Sequence, residues 1–495
     1  MKILFLFALL AQITFSQNYI QYVNPFIGTG LQGHTYPGAT VPFGMVQLSP
    51  DNGKSGWEYS SGYHYSDSSI VGFSHTHLSG TGIGDLYDIQ FMPASLSNNL
   101  SDDEIINHKF QSKYDHKNES ASPGYYNVIL KDYNIRTELT AALRSGFQKH
   151  IFNQDGNEYI QLDLGYSKNW DTTVETYIKI IDEHTVCGYR LSKGWATDQR
   201  VYFYTKFSQP IKKSFLILDS TYHYNSSEVK GRTSRAIFNF DVEINASLLI
   251  KTGISSVSID NAKLNLESDI DDWDFNSVKK TAEELWNKEL SKIEVKSNNK
   301  ELLTTFYTAL YHTMLAPVVF SDANGQYKGA DGNIHTADNY SKYSIFSLWD
   351  TFRAAHPLFT ITQPEKVDDM INSMLSHFTE YGLLPVWELL GNETGTMIGY
   401  HSIPVITDAI LKGYKEFDIN LAYDAMKKSA LQDHLGLNYY KELGYIPDEK
   451  EVESVSKTLE YAYDDWCIAQ IAKYLGNEED YKYFSTRAEY YRNLF

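Results

Sequence analysis

The stretch DDWDFNSVKKTAEELWNKELSKIEVKSNN, residues 271–299, marks a change of period in the chain. Within it Val278, Ala282, Leu285, Trp286 and Leu290 recur at helical spacing behind Asp-rich capping positions. It reads as a linker helix, assigned to residues 269–300, with strands before it and helices after it.

On the N-terminal side, from about Tyr19 to Leu266, segments such as YNVILKDY (126–133), YIQLDLG (159–165), RVYFYTKF (200–207) and ASLLIKTGI (246–254) alternate apolar with polar residues. Turn residues separate them at roughly ten-residue spacing, which suits the antiparallel strands of a β-sandwich and not βαβ units. The sandwich is assigned to residues 17–268. On the C-terminal side ELLTTFYTALYHTML, PEKVDDMINSMLSHFTEYG, HSIPVITDAILKGYK and SVSKTLEYAYDDWCIAQIAKYLG carry apolar stripes of period near 3.6, and Pro364 stands where a helix begins. No strand-like segment separates them, so residues 301–495 read as an all-α, repeat-like array. The expected fold class is a mixed two-domain one: antiparallel β-sandwich, linker helix, all-α domain. The last helical pattern stops at Phe495 without a cap, and the expectation is of a chain broken off inside that domain.

At 495 residues, two domains are the default. Lys plus Arg number 43 against 62 Asp plus Glu, a formal charge of -19, which argues against a protein that tracks nucleic-acid phosphates and reads as solubility. Two cysteines, Cys187 and Cys467, make no disulfide framework. Tyr alone numbers 38, an excess typical of sugar-facing proteins. The opening MKILFLFALLAQITFSQ, one Lys and then an apolar run, reads as a secretory signal peptide over 1–16 with the mature start near Gln17. It is too short to span a bilayer, and no later run matches its apolarity. A soluble product without a transmembrane segment, secreted or periplasmic, is expected.

The chemistry concentrates between Ser347 and Lys412, where Trp349, Asp350, Arg353, His356, Trp387, Glu388, Glu393, Tyr400, His401 and Asp408 fall close together. Rings that stack on a sugar, interleaved with groups that hydrogen-bond its hydroxyls, point to a carbohydrate pocket. Asp350 and Arg353, three apart, share a helix face near Trp349 and His356. They read as sugar contacts or as a structural ion pair. Glu388 and Glu393 lie in an irregular Trp- and Gly-containing segment. Ser456 and Glu460, at i and i+4, read equally as an inter-helix network or a pocket wall.

Glycines at 28, 30, 33, 38, 44, 80, 82 and 84 let loops approach a neighbour or ligand closely. His34, His75, His77, Asp85 and Asp88 stand beside them. His75 and His77 alternate, so on a strand both rings point to one side and, with Asp85, suggest a metal site. The preferred reading is that these histidines are buried donors that hold the Gly-rich loops against the next domain. A phosphate cradle at GTGIGD lacks the strand-to-helix context such loops need.

Together NPFIGTG (24–30), GHTYPGATVPFGMVQLSPD (33–51), GYHYSDSSIVGFSHTHLSGTGIGD (62–85), LWDTFRAAHPL (348–358), GNETGTMIGYHSIPVITDA (391–409) and SVSKTLEYAYDDWCIA (454–469) resemble the calcium-dependent exo-α-mannosidases of glycoside hydrolase family 92. The resemblance implies a sandwich, a linker helix and an (α/α)6 toroid, present here only in part, with the active site where the domains meet. It implies that the Gly-rich loops, with Gly28, Thr29, Gly30, His34 and His75, face the toroid mouth. Trp349, Asp350, Arg353, Trp387, Glu388, Glu393 and His401 then form the sugar-holding wall: Asp350 and Arg353 bind hydroxyls, Trp387 stacks, and Glu388 with Glu393 orders the loop.

The implied reaction is inverting hydrolysis of terminal α-mannose, α-1,2 linkage expected, from N-glycan or mannan-type oligosaccharides. An inverting acid and base stand roughly 6.5–9.5 Å apart to admit water. A calcium ion, a hard cation with oxygen ligands, is expected to hold the mannose hydroxyls. The family's motifs for the acid, the base and most calcium ligands do not occur before Phe495, and the catalytic groups are expected beyond it. GNET at 391–394 belongs to an earlier motif and takes no catalytic role. The readings set against this one are a phosphorylase or a polysaccharide lyase, disfavoured by the lack of a basic cluster, and a mannose-binding surface protein without turnover.

Overall fold

The computed structural model describes residues 17–154 and 156–495, so the signal peptide expected over 1–16 lies outside the described residues. Two antiparallel sheets face each other in the N-terminal part. The eight-stranded sheet runs Ser49–Asn52, Ser69–Ser74, Gln90–Leu96, Asn157–Asp163, Ser234–Phe240, Lys213–Leu218, Thr221–His223, with Ser112–Lys113 beside Ser69–Ser74. The nine-stranded sheet runs Glu228–Gly231, Thr172–Asp182, Thr185–Lys193, Gln199–Phe207, Ser247–Ser255, Ser145–Phe152, Ile135–Ala141, Tyr125–Leu130, Glu119–Ser122. Alternation drives the packing: Ile135, Thr137 and Leu139 are buried while Arg136 and Glu138 between them face outward. Ile70, Phe73, Phe91 and Phe238 of one sheet meet Leu139, Phe152, Phe203 and Ile250 of the other in one core.

A short helix, α1 (Asp102–Ile106), starts on a capping box between Ser101 and Glu104. The strand pattern ends earlier than the sequence suggests. Its last strand stops at Ser255, and residues read as strand-like up to Leu266 instead form helix α2 (Ile259–Asp269), capped by Ser258. The reason is local. Ala262 and Leu266 lie one turn apart on the face that packs against the strand Ser247–Ser255, and Gly253 lets them in: a Cβ there would meet the Ala262 carbonyl at 2.3 Å.

The linker helix is α3 (Phe275–Leu290), capped by Asp274. Its Trp286 is fully buried, donates Nε1–H to the Thr40 carbonyl at 2.6 Å, and lies 4.5 Å from the Tyr311 ring. Phe43 of the N-terminal part sits in the helical core, its N–H bonded to the Met314 carbonyl and its carbonyl to the Val319 N–H, both at 2.8 Å.

The helical domain contains α4 (Lys300–His312), α5 (Leu348–Thr351), α6 (Ala355–Thr362), α7 (Pro364–Tyr381), α8 (Ser402–Leu411), α9 (Ile419–Leu431), α10 (Leu437–Leu443), α11 (Ser454–Tyr474) and α12 (Glu478–Arg487). Pro364 opens α7, as its missing N–H favours. Short strands stand between the helices where none was expected: Val318–Val319 pairs with Tyr343–Ser344, Gln326–Lys328 with Ile334–Thr336, and Phe346–Ser347 with Trp387–Glu388. Two- and three-residue strands carry no period to read. No helix among the described residues is long and apolar enough to cross a membrane.

Candidate active site

An open cleft of about 320 Å³ lies where the two parts meet. Ser79, Gly80 and Thr81 of a sandwich loop form one side, and Ser347, Asp350, Thr351, His312, His356 and Trp387 of the helical domain form the other. The bottom is set by the pairing of Phe346–Ser347 with Trp387–Glu388, which brings the start of α5 against the Trp387 loop.

Asp350 is exposed in α5 and accepts the Ser347 hydroxyl on Oδ2 at 2.5 Å. Among the described residues its Oδ1 meets no protein donor, which leaves an acceptor at the cleft. His312 ends α4 and His356 lies in α6. Burial pushes both imidazoles down to about 4, so they are neutral at neutral pH. Nε2 of His312 is buried without a protein partner. Neither histidine was assigned a role from sequence; their convergence arises from folding residues 44 apart onto one wall.

Trp387 lines the cleft but is only 2% exposed, with its ring 4.5 Å from that of Trp195. It is too buried to present the free stacking face expected of it. Trp195 is half-buried and donates Nε1–H to the Thr396 hydroxyl at 2.9 Å. Asp85 holds the turn beneath it by accepting the Ala196 N–H at 3.0 Å.

Glu388 and Glu393 build the loop. Glu388 accepts the N–H groups of Gly391 at 2.6 Å and Ile345 at 2.9 Å and the Ser344 hydroxyl at 3.0 Å. Glu393 accepts the N–H groups of Gly395 at 2.7 Å, Val386 at 2.8 Å and Trp387 at 3.1 Å. Burial raises both carboxyls against those donors. With their oxygens committed to the backbone, neither faces the cleft.

Arg353 does not share a wall with Asp350. Helix α5 ends at Thr351, and Arg353 turns away to pair with Glu460 of α11 at 3.2 Å while its guanidinium lies over the rings of Trp349 and Phe352. Trp349 donates Nε1–H to the same Glu460 at 3.2 Å. His401 is buried behind them, with Nδ1 2.8 Å from Asp464 and Nε2 3.2 Å from Glu460. Burial alone would lower its pKa; the two carboxylates outweigh that and raise it to about 9. Trp349, Arg353 and His401, expected at the sugar, therefore stand behind the cleft.

The Gly-rich loops act as a brace. The Gly80 N–H bonds the His34 carbonyl at 2.7 Å, His34 Nδ1 lies 2.9 Å from the Ser60 hydroxyl, and the Thr29 carbonyl accepts the Tyr65 N–H at 2.9 Å. Gly28 adopts φ 88° with Thr35 packed against it, and Gly30 lies against Tyr65. Beside His34, Trp57 is 47% exposed, an aromatic the sequence reading passed over.

His75 is not at the cleft. It is fully buried in the sandwich, with Nδ1 2.7 Å from the Ile89 carbonyl and a pKa lowered by burial to about 4. His77 bonds elsewhere, to the Gln47 carbonyl at 2.7 Å and Asp51 at 3.0 Å, so the two rings do not converge. Among the described residues no group of three His, Cys, Asp or Glu side chains gathers to hold a metal.

The model of the glycosyl hydrolase family 92 N-terminal domain matches residues 22–255, and that of the family's catalytic domain matches residues 261–495. A family 92 α-mannosidase from Bacteroides thetaiotaomicron, solved in complex with mannoimidazole, superposes with a TM-score of 0.92 at 41% identity over 97% of this chain and 64% of its own. A family 92 inverting mannosidase from the same organism gives 0.86 at 31% identity over 97% of this chain and 65% of its own. An uncharacterized secreted glycosidase of Arthroderma benhamiae is 26% identical over 96% of this chain and 62% of its own length. The chain thus spans less than two thirds of each of these relatives. The two family models together match nearly the whole described length, one over the sandwich and one over the helical part, and the chain belongs to glycosyl hydrolase family 92.

Proposed function

We propose that the protein of which this chain forms the described part is an exported glycoside hydrolase that removes terminal α-linked mannose, α-1,2 linkage included, from mannose-containing glycans with inversion. The observation that carries this is the interdomain cleft with Asp350 at its wall, in a chain 41% identical to an α-mannosidase solved with a mannose-like ligand. Export is supported by the apolar leader and by a relative described as secreted.

In this reading Asp350 accepts a sugar hydroxyl on its free oxygen, a charge-assisted bond that fixes the ring in the cleft. Neutral His312 offers Nε2 as an acceptor or, in its other tautomer, a donor. Glu388 and Glu393 hold the Trp387 loop and take no proton-transfer role, since inversion needs an acid and a base open to the glycosidic oxygen and to water. Calcium belongs to the proposal as the group that would grip vicinal hydroxyls. The side chains described here gather no cage for it, and no step is derived through it.

The test is hydrolysis of α-1,2-linked mannobiose followed by proton NMR, with and without a calcium chelator. Release of β-mannose as the first product is expected. Release of α-mannose overturns inversion, and mannoside binding without any release favours a binding protein.

A further inference from the structure

Behind the cleft a polar chain, buried at His401 and Asp464 and open to solvent at Arg353, runs from the start of α8 to α11 to the turn carrying Asp350, and the proposed reaction makes no use of it. Asp464 holds His401, His401 approaches Glu460, and Glu460 Oε1 accepts both Trp349 Nε1–H and an Arg353 N–H, each at 3.2 Å. Phe352 stacks on the His401 ring at 4.1 Å and 19°, covering the imidazole.

Strand pairing and the buried Leu348 anchor the start of the turn, and that chain holds its far end. Helix α5 has four residues and no side-chain cap, far too short to hold itself. The other side-chain hydrogen bonds of residues 347–353 are local, joining Ser347 to Asp350, Thr351 to Ser347 and Arg353 to Trp349. The side-chain hydrogen bonds that leave the turn reach 107 and 111 residues away, and both end on Glu460. We propose that Glu460, braced by His401, is a positioning residue that fixes the Trp349–Arg353 turn and thereby aims Asp350 into the cleft. This deepens the sugar-site reading and rests on it for the role of Asp350.

The experiment compares Glu460→Asp, Glu460→Gln and Glu460→Ala in the full chain. Two readouts are taken: the Trp349 indole N–H resonance, assigned through Trp349→Phe, and the affinity for methyl α-mannoside by calorimetry. Gln keeps an oxygen for Trp349 and Arg353 and gives up only the charge beside His401, which Asp464 still holds. Asp keeps the charge but withdraws the acceptor by about one methylene. Expected are a near-native indole resonance and affinity in Glu460→Gln, and a shifted, faster-exchanging indole with about tenfold weaker binding in Glu460→Asp and Glu460→Ala. A role in charge balance alone predicts the reverse order, with Asp tolerated and Gln not. That order, or an unmoved indole in Glu460→Asp, overturns the proposal. If the unsubstituted chain does not bind methyl α-mannoside while the indole responds as described, the positioning stands and the sugar reading falls.

Discussion

Asp464 and His401 face each other at 2.8 Å with both side chains buried, an ion pair inside the helical core and not on its surface. The pair makes stability depend on pH. The His401 pKa of about 9 lies above the ordinary 6.5. Its contribution is therefore fully present below pH about 6.5 and is lost as pH rises through about 9. It amounts to about 3 kcal/mol. The melting temperature should fall more steeply between pH 7 and 10 in the unsubstituted chain than in His401→Gln; equal slopes would show that the imidazole is not held cationic.

Glu393→Ala should destabilise the fold without acting as the loss of an acid would. Three backbone N–H groups lose their acceptor at once; those of Val386 and Trp387 are part-buried, where an orphaned donor costs about 1–3 kcal/mol, and that of Gly395 is open to water. A net loss of about 3 kcal/mol in urea denaturation is expected. A variant with unchanged stability and abolished turnover would instead make Glu393 the general acid.

Asp350→Asn should separate binding from folding. The amide oxygen still accepts the Ser347 hydroxyl, so the melting temperature should stay within a degree or two, about the scatter of a surface change. Loss of a charged acceptor should weaken methyl α-mannoside binding about tenfold or more, read by calorimetry. Unchanged affinity would remove Asp350 from the sugar site.

Gly253→Ala tests the seat of α2. The new methyl would stand 2.3 Å from the Ala262 carbonyl and 2.8 Å from Leu266, both fixed by the helix. A cost of about 2 kcal/mol, from a forced shift of α2 off the sheet, is expected in chemical denaturation. A near-neutral result would mean that α2 moves freely on its strand.

Much of this architecture is legible along the chain because burial imposes its own period. Ile135, Thr137 and Leu139 announce a strand, and Val278, Ala282 and Trp286 announce a helix, since each set must reach one face. Helix α2 was hidden because its buried face is made of Ala262, Asn265 and Leu266, too little apolar surface to override the strand-like run before it. The candidate site was legible residue type by residue type and not in its grouping. Asp350 lines the cleft between the two parts. Arg353 leaves because α5 ends two residues before it, and His75 lies in the sandwich because its partner is a backbone carbonyl fourteen residues away. The Glu460 junction gathers side chains from α8, α11 and the α5 turn, and no local spacing encodes such a meeting.

The indole of Trp286 on the Thr40 carbonyl, together with Phe43 bonded on both sides to the helical domain, bears on how the molecule comes apart. A domain boundary usually permits one half to melt while the other stays intact. Here the linker helix and a sandwich loop each contribute to the core of the other part, so neither half has a complete interior alone. Heating should therefore give one calorimetric transition for the described residues, and a cut at residue 270 should yield two pieces that must find each other to become folded.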